Sequence, residues 1–188
     1  LLGAYRDQRT EDWKWFEPTM LYDNAILPLA LLSAYEVTGD PALKETGLES
    51  LGFLAEICFP DGWFSPVGNR GWYPKGGEVP RFDQQAIETM AMVLAAGQAF
   101  KISGAGLWQQ RMHQCYRWFL GANDLHIPLF DHQTGGCCDG LEASGVNRNQ
   151  GAESTLAYWI SHMAVLRNLD AGEGPWLLSP SAHTRVVI

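Results

Sequence analysis

Apolar residues recur along the chain at helical spacing, and they do so in two alternating styles. From about Leu21 to Thr38, residues such as Ala25, Ile26, Leu29, Leu31, Leu32, Tyr35 and Val37 fall on every face of a helix, a pattern that predicts burial all round. The run stops at "TGDP", where Gly39 suits a helix C-terminus, Asp40 an N-cap and Pro41 the first position of a second helix. That second helix, about Pro41 to Phe59, has one apolar stripe through Leu43, Gly47, Leu51, Leu54 and Cys58, so it is expected on the outside. The alternation repeats. An all-round apolar stretch from about Gln84 to Ile102 ends at "SGAG". A striped helix follows to about Leu120, with Trp108, Met112, Cys115 and Phe119 inward. A third all-round stretch covers about Gly151 to Leu169. The predicted order is inner, outer, inner, outer, inner.

Self-comparison turns this alternation into a repeat. "AYEVTGD" at 34–40 and "AFKISGA" at 99–105 are offset by 65 residues, and the same offset sets "QQAIET" at 84–89 on "NQGAES" at 149–154. It also carries Asp23 onto Glu88 and Glu88 onto Glu153. One acid therefore stands at the start of each predicted inner helix, always followed by a small polar residue.

Stacked hairpins of this kind can form a ring with the buried helices inside and their N-termini at one rim. The expectation is an all-α fold, an (α/α) toroid of helical hairpins with about two and a half hairpins present. It takes 1–188 as one domain or fragment, with a lead-in over 1–15 and a tail over 171–188. Asp23, Glu88 and Glu153 would gather at the rim as candidate catalytic residues, two of them serving as general acid and as general base or nucleophile. Capping is their other reading, because the helix macrodipole favours acids in a first turn. Two long loops lie over the same rim. They bring Trp63, Trp72 and Tyr73, as stacking faces or as anchors of a loop onto the core, and Asp139, Asn147 and Asn149 as partners for hydroxyl groups, with Gln84, Gln85 and Gln150 either joining them or holding the rim loops together. Arg148 can pair with Glu153 or hold a substrate carboxylate. Aromatic faces among amides and carboxylates suit a polyhydroxylated sugar.

The phrases "WKWFEPTMLYDNAILPLALLSAYEVTGD", "FDQQAIET", "FLGANDLHIPLFDHQTGGCCDGL" and "GVNRNQGAESTLAY" resemble the C-terminal helical region of certain bacterial proteins described as glycosyltransferases. More broadly they are similar to the six-hairpin (α/α) toroid glycosidase-like superfamily, over about Trp13 to Asn168. The resemblance implies a carbohydrate-active domain, of the glycoside hydrolase, lyase or epimerase kind, or a non-catalytic glycan-binding or bracing domain attached to a glycosyltransferase. It implies sugars more than one reaction. Six hairpins close such a ring, so the piece read here matches half of a larger barrel, and the rest of a larger polypeptide or a homo-oligomer mate is expected as partner.

Composition narrows the remaining classes. The 46% hydrophobic content supports a sizeable core, and a net charge of -8 with only 13 scattered Lys and Arg leaves no footprint for nucleic acid. The longest apolar run, Ala25 to Leu32, contains Pro28 and falls far short of the roughly 20 residues that span a bilayer, so no membrane partner and no signal peptide are expected. The chain opens on Leu1 rather than a methionine, which suggests a processed or excised piece. Cys58, Cys115, Cys137 and Cys138 are not needed as staples in a domain of this size, which points to a reducing, cytoplasmic setting. His132, Cys137, Cys138 and Asp139 offer zinc chemistry, but adjacent cysteines fit one tetrahedral site poorly, so no metal and no cofactor are expected.

Overall fold

Local capping signals set the helix ends. In the computed structural model, which describes residues 1–171, α1 (Leu2–Gln8), α2 (Ile26–Thr38), α3 (Pro41–Cys58), α4 (Ala86–Ser103), α5 (Gly106–Trp118) and α6 (Ala152–Ala171) carry most of the chain. Gly39 and Gly104 close α2 and α4 in the left-handed conformation, which costs glycine nothing. The Asp40 carboxylate accepts the Ala42 N–H at 3.0 Å and starts α3, with Pro41 in its first turn. The expected tail lies outside the described residues apart from Ala171. Within the expected lead-in, α1 is tied to α3, because the Tyr5 hydroxyl and the Arg9 guanidinium both donate to Glu49, at 2.9 and 2.7 Å.

The all-α expectation is overturned. Alongside the helices stand two small antiparallel sheets with five strands: β1 (Thr19–Met20) pairs with β2 (Tyr73–Pro74), and β3 (Gln84–Gln85) pairs with β4 (Gly140–Glu142), which pairs with β5 (Gly145–Asn147). The reason is backbone accounting. Long loops that cross buried helix ends must satisfy their own N–H and C=O groups, and these loops do so by pairing with one another. Gly140 permits the pairing, since a Cβ there would sit 2.5 Å from the Gln84 carbonyl oxygen.

Helix packing is centred on α4, which contacts α2 on one side, α6 on the other, and α5 as its hairpin partner; α3 packs against α2. Ala91, Met92, Val93, Ala95, Ala96 and Ala99 bury α4 on nearly all sides, as its pattern predicts. For α2 and α6 the expectation of burial all round is corrected. Ile26 and Val37 of α2, and Leu156, Trp159, Ile160, Met163 and Leu166 of α6, are exposed, because each of these helices flanks α4 on one side only. On the outer helices the stripes face inward, through Leu51, Leu54 and Cys58 on α3 and Trp108, Met112, Cys115 and Trp118 on α5.

Repeat-related positions touch across neighbouring helices. Lys101 on α4 pairs with Glu36 on α2, and the Asp23 N–H donates to Glu88, both across a separation of 65 residues. Loop aromatics seal the floor beneath the rim: Trp13, Trp15, Phe64, Trp118 and Phe119 are fully buried, with Trp13 edge-on to Phe53 and Tyr73. Among the described residues no helix is long and apolar enough to cross a membrane.

Candidate functional site

The rim is built where α2, α4 and α6 begin. Residues 21–25 do not join α2 as the pattern predicts; they form a turn in which Asp23 takes a positive φ of 53°. Only a few per cent of non-glycine residues adopt that region, with aspartate among those that tolerate it best. Glu88, in the first turn of α4, holds the turn in place. One carboxylate oxygen accepts the Asp23 N–H, and the other accepts the Asn24 N–H at 3.1 Å and the Asn24 side-chain amide at 3.3 Å. Glu88 is only 6% exposed, and burial pushes its carboxyl up from 4.5 to about 7 in spite of these donors, with the Asp23 charge adding to the rise.

Glu153, in the first turn of α6, completes the group. The Tyr22 hydroxyl donates to it at 3.1 Å. Burial raises the Asp23 carboxyl above its ordinary value, and the charge of Glu153 raises it further. One Asp23 carboxylate oxygen is buried without a partner among the described residues. The fold thus gives Asp23, Glu88 and Glu153 unequal roles: Glu88 is saturated by backbone and amide donors, whereas Asp23 lies within reach of the Glu153 charge.

Glu153 also lines a cleft of about 510 Å³ between the β3–β4–β5 sheet and the start of α6. Asn69, Asp83, Gln85, Asp139, Glu142 and Asn147 share its wall, so its surface is dominated by carboxylates and amides. Asp139 is partly committed elsewhere. It accepts the Gly151 N–H at 2.7 Å, the Ser154 hydroxyl at 2.9 Å and the Asn149 amide, and so caps α6 from outside the helix. Burial raises its carboxyl, but those donors outweigh burial and hold it below the ordinary carboxylate value. Gln84 is a structural pivot: fully buried, it donates to Ser65, Asp124 and the Arg81 carbonyl, and accepts from the Trp118 indole at 2.8 Å. Gln85 differs, with a buried carbonyl oxygen that has no partner among the described residues.

Other expected residues fall away from this cleft. The Trp63 indole donates to Asp124 at 3.2 Å and its ring meets His126 edge-on; Trp72 sits half-buried at a positive φ of 56°; and Tyr73 is held in β2 against Trp13. Gln150 braces the loop through Thr134 and Asp131. Arg148 is exposed and forms no ion pair with a described residue, so the expected pairing with Glu153 is not made and Tyr22 takes that place. Sequence reasoning missed Tyr22 and Asn24, although both flank the repeat acid in "YDN". It also missed Asn69 and Asp83, which come to the cleft only through loop folding and leave no local signal. Among the described residues no three His, Cys, Asp or Glu side chains gather to hold a metal ion. In comparisons with known proteins, no family model matches the chain and no curated protein matches it.

Proposed function

We propose that the cleft beside the α6 N-terminus binds a saccharide or glycoconjugate, and that Asp23 and Glu153 act on it as an acid and base pair of the glycosidase-like kind. The observation that carries this reading is the convergence of the repeat acids, with Asp23 raised by burial and by Glu153. Two carboxyls whose surroundings push one toward its protonated form are what proton transfer to a leaving oxygen requires. Glu88 is then a positioning residue, fixing the Asp23 turn rather than touching substrate. Amides and carboxylates along the cleft match the hydroxyl groups of a sugar. The resemblance to glycosyltransferase-associated helical domains points the same way. A cytoplasmic setting belongs to this proposal, in keeping with four free thiols at Cys58, Cys115, Cys137 and Cys138.

A second reading, a non-catalytic glycan-binding or bracing domain, is favoured by one observation: Glu88 and Asp139 are both engaged in holding backbone. A binding and turnover screen over oligosaccharides separates the two, using wild type, Asp23→Asn and Glu153→Gln. Turnover lost in the variants with binding retained supports the catalytic pair. Binding without turnover in wild type supports the bracing reading, and absence of saccharide binding in wild type removes both.

A further inference from the structure

The exposed side of α6 is patterned, not random. Leu156 and Met163 are seven residues apart, as are Trp159 and Leu166, so these side chains, 40–59% exposed, form the a and d positions of a two-heptad seam. The opposite face, through Ser154, Ala157, Tyr158, Ser161 and Val165, is the one buried on the protein's own core. Along one edge of the seam run Glu153, Ile160 and Arg167, again at seven-residue steps, with Glu153 and Arg167 carrying opposite charges.

We propose that α6 pairs antiparallel with α6 of a second copy of this chain. In that register Leu156 meets Leu166 of the other copy and Trp159 meets Met163, so each layer joins an a position to a d position across a two-fold axis. The edge residues then face their counterparts: Ile160 lies across from Ile160, and Glu153 across from Arg167 of the second copy, twice by symmetry. A parallel pairing would instead set this edge against the edge that carries Thr155 and His162 and leave Glu153 and Arg167 apart. Charge complementarity and the self-matching layers together select a second copy as the occupant of this face. Tyr22, exposed and hydrogen-bonded to Glu153, extends the surface at each end of the seam. The pairing also delivers a guanidinium to a rim whose Asp23, Glu88 and Glu153 are all acidic. That makes assembly a determinant of the charge at the site, though the pairing itself does not depend on the proposed activity.

Sedimentation equilibrium on the whole chain tests the proposal, with circular dichroism as a check that each variant keeps its helices. Wild type is expected to move from 20.9 kDa toward twice that mass as concentration rises, and Met163→Glu, which puts a charge in the seam, to stay monomeric. Arg167→Glu and Glu153→Arg each weaken association roughly tenfold through the two symmetric pairs, and the double variant restores it. A wild type that stays monomeric at all concentrations overturns the proposal. So does a dimer indifferent to Met163→Glu, or a double charge swap no better than the single ones.

Discussion

Raising the pH from 5 to 8 should weaken the fold through Glu88. Its carboxyl is 6% exposed and moves from 4.5 to about 7 on folding. A gap of roughly 2.5 units at about 1.4 kcal/mol each corresponds to about 3.5 kcal/mol, of which about 2.5 is lost between pH 5 and 8. The folded state binds this proton more tightly than the unfolded chain, so the contribution is complete below about 4.5 and is lost as the pH rises through about 7. Asp23 shifts in the same direction. His113, whose imidazole is lowered by burial, works against it, because its stability contribution grows as the pH climbs toward 6.5. Glu36, Glu49, Asp131 and Asp139 are all lowered, so their losses fall below the window. Comparison with Glu88→Gln isolates the one residue, since the amide mimics the neutral acid and cannot titrate. With a urea slope of about 2 kcal/mol per molar, the wild-type midpoint should fall by about 1.3 M between pH 5 and 8, and the variant's midpoint should fall far less. Equal pH slopes for the two proteins would refute the reasoning.

Three further outcomes are expected of the scaffold. Trp118→Phe leaves the buried Gln84 carbonyl without its 2.8 Å donor and should cost about 1–3 kcal/mol in urea unfolding. Gly140→Ala forces a Cβ against the Gln84 carbonyl at 2.5 Å, so β3 and β4 must separate; a loss of about 1–3 kcal/mol, read as a lower melting temperature, is expected. Asp40→Ala removes the α3 cap and should cost about 1 kcal/mol, measured the same way.

Local signals were legible and cross-chain ones were not. "TGDP" and "SGAG" mark helix ends because a left-handed glycine and an N-cap carboxylate act within a few residues. The five strands left no such mark, since two- and three-residue strands are too short for alternation to register and their partners lie far along the chain. The 65-residue register located the three acids, and Glu88 holds the Asp23 backbone while Glu153 accepts from Tyr22. It could not distinguish Glu88, saturated by N–H donors, from Asp23 and Glu153, because saturation depends on the turn at 21–25 that helical periodicity concealed. Trp63 and Tyr73 stay open in the sequence for a related reason: an aromatic in a loop looks the same whether it faces ligand or floor, and these two are held by Asp124 and by Trp13.

The grip of Glu88 on residues 23 and 24 also bears on the order in which the chain assembles. Among the described residues no side chain caps α2 at its own N-terminus, Ala25, and the carboxylate that fixes the turn ahead of it belongs to α4, 65 residues after Asp23. The α4–α5 hairpin closes over a loop of two residues, so its contacts are local and form early. The start of α2 is therefore expected to order only once that hairpin docks, and the amide protons of this turn should exchange only when the α2–α4 interface opens.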